Sequence, residues 1–417
     1  MSIIQVLQQV LIWLVTIFWM YQLGISLFSL IKVKEKPLLV KKNHKFMAVI
    51  CARNEEKVIG NLIDSLKKQK YPADLLDIYV VADNCTDKTA MISKEAGAFV
   101  YERFEPEKQK QTKGCALQWF LNQKLQENLD YDAFCVFDAD NIAMPDFIEK
   151  MNIKLCQGEE VVQGYRDIKN PTDTWITAGY TLFYWTMNRF YHLARYNLGL
   201  SPLINGTGFM VKFDNIAKTG WNTKTLTEDI EFSLINISKN KKLGWAKDAI
   251  VYDEQPLKFM QSWKQRTRWT VGHIQCLKLY TKSLANGTKE YKNAVTFDGL
   301  LYILGTLPMM LITLLLTLLN VVIYLGNGMS SVDLLINIGL YLGATFLLPI
   351  LSSLIVMKVE KREIKPMIKG ITMYPFFLGS WLLINIKCLF KQDTTWVQIS
   401  HTRNVEMDEI SKVKELA

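Results

Sequence analysis

Four stretches without a single charged side chain constrain this 417-residue chain more than anything else in it: 1–31, 299–332, 334–357 and 370–386. A helix crossing a bilayer needs about 20 apolar residues, so the first three are long enough and the fourth is marginal. Their presence excludes an ordinary soluble protein. The polar, globular pattern of 46–290 excludes a channel or carrier built mostly in lipid.

The charge follows the same layout. The chain carries a net +9, which by itself suggests an anionic partner. Segment 32–45 holds six lysines against Glu35, 278–292 four lysines against Glu290, and 358–369 five basic residues against Glu360 and Glu363. All three patches flank apolar runs, and together they exceed the +9 of the whole chain. The basicity therefore reads as topology and attraction to anionic membrane lipids, and not as nucleic-acid binding. By the positive-inside rule, 32–45 and the large polar region are expected in the cytoplasm. No basic residue precedes the first apolar run, so 1–31 is expected to stay as an anchor and not to leave as a signal peptide. The seven scattered cysteines form no CxxC and predict neither a disulfide framework nor a zinc site. The sequons at Asn84, Asn205, Asn236 and Asn286 carry no meaning in a cytoplasmic region.

Within 46–290, apolar runs at 46–52, 78–82, 98–101, 133–137 and 161–165 alternate with helix-like stretches at 55–69, 86–96, 112–129 and 145–156. Nearly continuous apolar strands alternating with helices predict an α/β domain with a mainly parallel sheet covered on both faces. Ligands then bind beyond the carboxyl ends of the strands. The first strand ends in Arg53-Asn54-Glu55-Glu56, the second in Asp83-Asn84-Cys85-Thr86-Asp87, and the fourth in Asp138-Ala139-Asp140. Any one of these reads equally as a helix cap. Together they place acids and amides on one crevice. The two carboxylates of Asp-x-Asp repel unless a cation neutralises them, which suits Mg²⁺ or Mn²⁺ with a bound diphosphate.

Further on come Thr227-Glu228-Asp229 and an amphipathic helix over 258–280. Gln265, Arg268 and Trp269 stand at i, i+3 and i+4, so they share one face. Taken alone, that helix reads as interfacial, with Trp and Arg at the headgroup level. The aromatic stretch 175–200 is either another interfacial segment or a buried core helix.

The order of Asp138-x-Asp140, Thr227-Glu228-Asp229 and Gln265-x-x-Arg268-Trp269, with apolar segments on either side, resembles the membrane-bound family 2 glycosyltransferases, the group of the cellulose, chitin, hyaluronan and poly-N-acetylglucosamine synthases. The resemblance covers roughly 46–280. It implies a GT-A-type domain at 46–257 between an anchor at 1–31 and a C-terminal membrane region at 297–390, with an interfacial helix at 258–290 and a cytoplasmic tail at 391–417. It further implies that Arg53, Asn54, Glu55 and Asp83 border the nucleotide base of a UDP-sugar. Lys113 would lie near the diphosphate, Asp138 on the nucleotide, and Asp140, with Asp138, on Mg²⁺ or Mn²⁺. Asp229 matches the general base, with Glu228 beside it, and Arg268 the group that steadies the leaving diphosphate. Gln265 and Trp269 would meet the acceptor sugar.

Two departures from that pattern stand out. Asn84 takes the place of an acid found in many relatives. Asn205-Gly206-Thr207-Gly208 sits where acceptor contacts are expected but lacks a cysteine motif; it reads equally as a Gly-rich turn. The C-terminal Thr394-Thr395-Trp396 and His401-Thr402-Arg403 resemble a gating segment over bound UDP. Three crossings plus an interfacial helix at 370–390 would leave that tail in the cytoplasm. The expected activity is inverting, metal-dependent transfer from a UDP-sugar to a growing β-glycan at the inner membrane face, with transfer of one or a few sugars to a membrane lipid as the alternative. Asp140, Asp229 and Arg268 argue against a catalytically dead scaffold.

Overall fold

The computed structural model describes residues 3–33, 42–127, 130–305, 307–326 and 330–392. The gating segment expected at 394–403 lies outside the described residues. Helix α1 (Ile3–Leu27) precedes β1 (Phe46–Ala52), α2 (Ile59–Lys67), β2 (Leu76–Asp83), α3 (Thr89–Glu95), β3 (Phe99–Arg103), α4 (Lys113–Gln126) and β4 (Ala133–Asp138). Next come β5 (Ile142–Ala143), α5 (Phe147–Cys156), β6 (Val161–Ile168), α6 (Trp175–Thr186), α7 (Ala194–Asn197), β7 (Phe209–Lys212), α8 (Glu228–Ser238) and β8 (Gly244–Asp253). Helices α9 (Phe259–Tyr291), α10 (Ala294–Gly305), α11 (Leu307–Gly326), α12 (Ser331–Val359) and α13 (Ile368–Phe390) complete the described chain.

The eight strands form one sheet in the order β3-β2-β1-β4-β7-β6-β8-β5. Strands β1, β2, β3 and β4 are parallel. Strand β7 runs antiparallel to both β4 and β6, and β8 is parallel to β6. The carboxyl ends of β1, β2, β4, β6 and β8 therefore share one edge. Alternation along β1 explains the two layers. Phe46, Ala48 and Ile50 pack with α2 and α5, whereas Met47 and Val49 pack with Leu117 and Phe120 of α4 and Phe232 of α8. A strand buried on both faces has no polar side to show.

A third core joins the polar region to the C-terminal helices. Tyr180 and Tyr184 of α6 pack with Val356 and Met357 of α12 and with Tyr374 and Phe377 of α13. The α6 part of the aromatic stretch 175–200 is thus packed as a core helix.

Three described helices are long and apolar enough to cross a membrane: Ile3–Leu30, Leu307–Tyr324 and Lys365–Phe390. The apolar part of α12 among the described residues is Thr345–Val359. The uncharged run 299–332 is not one helix. Its beginning belongs to α10, which lies against α8 and α9 with Ile303 fully buried. Pro308 sits in the first turn of α11, where a missing N–H costs little. The run 370–386, expected along the interface, lies within the third of these long apolar helices. Two polar residues near its end face inward: Asn385 accepts a hydrogen bond from Thr270 of α9 at 2.8 Å, and Lys387 lines the cleft described below.

Helix α1 is tied down near its end. Asp298 of α10 and Arg195 of α7 form a buried ion pair at 2.8 Å; Tyr21 donates to Asp298 at 3.1 Å and Arg195 donates to Gln22 at 2.9 Å. All seven cysteines are free thiols.

Candidate active site

A cleft of about 630 Å³ opens at the shared carboxyl edge. Its wall takes Arg53 and Glu55 from the end of β1, Asp83 from β2, Lys113 from the start of α4, Asp138 and Asp140 from the end of β4, and Asp253 and Glu254 from the end of β8. Gln265 and Arg268 of α9 and Lys387 of α13 close it.

Local bonding sets each loop. Asn54 and Asn84 both have left-handed backbone (φ 56° and 52°), a conformation that asparagine tolerates better than most residues. The Asn54 side chain accepts the Thr86 N–H at 2.8 Å, joining the ends of β1 and β2. Asn84 accepts the Glu105 N–H at 2.9 Å, so the departure from an acid there serves the chain that follows β3. Asp83 is paired with the buried Arg103 at 2.6 Å, and Arg53 donates to Gln111 at 2.8 Å.

The Asp-x-Asp turn is held from beneath. The Asp138 N–H donates to Thr207 at 2.9 Å and to Asn141 at 3.1 Å. Lys113 donates to the Asp138 carboxylate and, at 2.6 Å, to the Gly206 carbonyl. Burial pushes the Asp138 carboxyl up, but Lys113 and then Arg166 overcome it and hold it below its ordinary range. Asp140 is almost fully buried and accepts the Glu254 N–H at 2.9 Å. Asp253 completes the group: oxygens of Asp138, Asp140 and Asp253 all lie within 4.8 Å of one another. Arg166 donates to Asp253 through Nε at 2.8 Å and through a second nitrogen. Three hard oxygen donors from two strand ends fit a divalent cation of the Mg²⁺ or Mn²⁺ type.

Thr227-Glu228-Asp229 enters from the other side at the start of α8. Two glycines make this possible by close approach. A Cβ on Gly114 would come within 3.0 Å of the Glu228 side chain, and one on Gly272 within 2.6 Å of Thr227. Gly272 lies one turn beyond Arg268, so α9 rests directly on the Thr-Glu-Asp segment. Glu231 fastens the turn by accepting the N–H groups of Lys224 and Thr225 and the hydroxyl of Tyr280 (2.8, 2.7 and 2.6 Å). Burial, then the neighbouring Asp229, push Glu228 up to about 7, and burial raises Asp229 as well. Asp229 lies close to Gly206, whose Cβ position would be 3.4 Å from the carboxylate.

The residues singled out in the sequence are distributed as follows. Arg53, Glu55, Asp83, Lys113, Asp138, Asp140, Gln265 and Arg268 line one cleft. Glu228 packs on Gly114, Gly206 accepts from Lys113, and Asp229 lies against Gly206, which brings all three to its border. Asn54 ties its rim together. Thr207 and Trp269 do not face it. Thr207 is fully buried beneath the Asp-x-Asp turn, so it supports that turn and cannot touch an acceptor. Trp269 is half-buried between Tyr180 and Trp381, with ring centroids 5.9 and 6.1 Å away. Sequence reasoning missed Arg166, Asp253 and Glu254. The strand-end pattern that found the other acids also marks Asp253-Glu254. That signal was lost because Lys247-Asp248 interrupts the apolar run of β8.

Comparison with known proteins agrees with this architecture. The profile of the glycosyltransferase-like family 2 matches residues 44–272. "Probable glycosyltransferase YdaM" of Bacillus subtilis is 27% identical over 390 residues, covering 86% of this chain and 87% of its own. The beta-monoglucosyldiacylglycerol synthase of Nostoc is 27% identical over 269 residues, 62% of this chain and 56% of its own, so this chain matches little more than half of that enzyme. Among solved structures, the mannosyltransferase PcManGT of Pyrobaculum calidifontis, in complex with GDP-Man and Mn²⁺, shares the fold. Its TM-score is 0.61 at 15% identity, over 94% of this chain and 100% of that one. With more than half of its length matched by the profile, the chain belongs to the glycosyltransferase-like family 2.

Proposed function

We propose that the protein transfers a sugar from a UDP-sugar, with inversion, to a membrane lipid at the inner membrane face. The observation that carries this reading is Lys387. It belongs to an apolar helix long enough to cross a bilayer, and it lines the same cleft as Asp138, Asp140 and Arg268. A cleft walled by such a helix opens where the bilayer surface lies. An acceptor held in that surface reaches it without leaving the membrane. The lipid-glucosylating relative from Nostoc supports the same choice over a growing β-glycan.

In this reading Arg53, Asn54, Glu55 and Asp83 hold the nucleotide end of the donor, with Arg103 fixing the Asp83 carboxylate. Asp138, Asp140 and Asp253 hold Mg²⁺ or Mn²⁺, which supplies charge neutralisation for the diphosphate when bound. Lys113 and Arg268 face the diphosphate as negative charge grows on it, a preorganised arrangement that needs little rearrangement in the transition state. Asp229 takes the proton from the acceptor hydroxyl, a role worth roughly 10²–10⁴-fold in rate. Burial raises its carboxyl above the ordinary range and so makes it a better proton acceptor. Attack opposite the leaving group turns an α-linked donor into a β-linked product.

The test is the full chain in nanodiscs with a panel of UDP-sugars and Mg²⁺ or Mn²⁺. An organic-soluble product carrying one or a few β-linked sugars is expected. A long water-soluble polymer would overturn the lipid acceptor, an α-linkage the inversion, and turnover only with another nucleotide the UDP assignment.

A further inference from the structure

The wall of the cleft is divided by charge. Its acids, Glu55, Asp83, Asp138, Asp140, Asp253 and Glu254, all come from the strand ends. Three of them are answered by neighbouring cations, Asp83 by Arg103, Asp138 by Lys113 and Asp253 by Arg166. Helices α9 and α13 bring Lys264, Arg268 and Lys387 and no acid. In the reading above, Arg268 faces the diphosphate together with Lys113 and a divalent cation. Lys264 and Lys387 are left over. Both are exposed, and among the described residues neither makes an ion pair or a side-chain hydrogen bond.

The two lysines flank one region of that wall. Lys264 stands one turn before Arg268 on the same face of α9. Lys387 lies in the last turn of α13, and the next residue, Cys388, donates to the Thr267 carbonyl of α9 at 3.9 Å. Trp263, beside Lys264, packs against the apolar cluster that holds Leu307 of α11 and Ile384 of α13. Asn385 donates to the Met310 sulfur at 3.3 Å and ties those two helices together close to Lys387. Both helices are long and apolar enough to cross a bilayer. A lysine near the end of a span carries its ammonium to headgroup level. Here that level coincides with the cleft. Met260, exposed on the same wall, offers an apolar surface to acyl chains.

We propose that Lys264 and Lys387 hold the headgroup of the acceptor, and that this acceptor is an anionic lipid, a phosphodiester whose headgroup also carries a free hydroxyl. The inference rests on the lipid reading given above and names its substrate class. An ammonium is a compact point charge that suits a phosphate. A neutral lipid would leave both lysines without a counter-charge. The headgroup hydroxyl oxygen bonds to C1 of the sugar as the C1–O bond to the diphosphate breaks. Its proton passes to Asp229, UDP leaves, and the lipid phosphate is unchanged.

The experiment uses the full chain in phosphatidylcholine nanodiscs with Mn²⁺ and the UDP-sugar panel. Phosphatidylglycerol, diacylglycerol or soluble glycerophosphoglycerol is offered as acceptor. Wild type should glycosylate phosphatidylglycerol with a KM roughly tenfold or more below that for diacylglycerol, the scale of one charge-assisted contact. Lys264→Gln and Lys387→Gln should each raise the phosphatidylglycerol KM roughly tenfold while the KM for the UDP-sugar holds. Lys264→Arg and Lys387→Arg should retain the wild-type preference. Equal use of diacylglycerol, or glutamine variants that keep the preference, overturns the anionic headgroup and leaves the lipid reading standing. Glycerophosphoglycerol used as well as phosphatidylglycerol overturns the lipid source. Glutamine variants that raise the KM for the UDP-sugar instead give the lysines to the donor and overturn the proposal. Should neither glutamine variant fold, the wild-type preference decides alone. A long polymer with no lipid product removes the lipid reading itself, and the proposal with it.

Discussion

Replacing Glu228 with Gln tests the acid–base assignment most directly. In the wild type, burial and then Asp229 carry Glu228 from 4.5 to about 7. A carboxyl raised on folding favours the folded state below its unfolded pKa, and that contribution is lost as pH climbs through the folded value. The distance from 4.5 to about 7 corresponds to roughly 3 kcal/mol at 1.36 kcal/mol per pH unit, an upper bound for a half-buried group. Glutamine mimics the protonated form. Glu228→Gln should therefore match wild-type stability near pH 4 and exceed it by up to about 3 kcal/mol at pH 8. The kinetic effect follows from the same pairing. The charge on Asp229 helps to raise Glu228, so Asp229 is already ionised when Glu228 loses its proton. Glutamine carries no charge, so Asp229 should keep its own ionisation while the second carboxylate never forms beside it. The step in the kcat/KM profile that follows Glu228 near pH 7 in wild type should then disappear, while the acid limb set by Asp229 stays in place. The measurements are denaturant unfolding at pH 5 and 8 and a pH–rate profile with saturating metal. A step near pH 7 that persists in the glutamine variant, with no pH-dependent stability gap, would refute the reasoning.

Two further outcomes follow from buried contacts. Thr207→Val removes the oxygen that accepts the Asp138 N–H and should cost about 1–3 kcal/mol at the Asp-x-Asp turn. It should appear as a raised KM for the donor with folding intact, measured by initial rates at varied UDP-sugar. Arg195→Met strands Asp298 as an uncompensated buried charge and should destabilise the chain by about 3–5 kcal/mol. Arg195→Met combined with Asp298→Leu should recover most of that in thermal unfolding.

The strands β1, β2, β4 and β6 were legible because burial on both faces fills most of their length with apolar residues, although β6 also buries Gln163, Arg166 and Asp167. Their carboxyl ends therefore announced Glu55, Asp83, Asp138 and Asp140. Strand β8 was not legible, because Lys247 and Asp248 are exposed in its middle, and Asp253 went unseen with it. The short β7 reverses direction inside the sheet, and nothing local in four residues encodes an antiparallel partner. The motif residues on α9 shared a face as helical spacing requires. Which neighbour that face meets is tertiary information, however. Arg268 reaches the cleft, while Trp269 is taken up by Tyr180 and Trp381. Thr207 illustrates the same limit, since a residue next to two glycines reads as exposed until the turn above it is seen.

Arg266, between Gln265 and Arg268, is fully buried and donates to the Phe377 carbonyl at 3.0 Å and to Ser380 at 2.8 Å on α13. The helix that presents Arg268 to the cleft is thereby bolted to one long enough to cross the bilayer. A span tilts when the hydrocarbon layer around it thins or thickens. With α13 in a bilayer, such a tilt would pass through this joint to Arg268 and Lys387, and bilayer thickness would bear on the shape of the cleft.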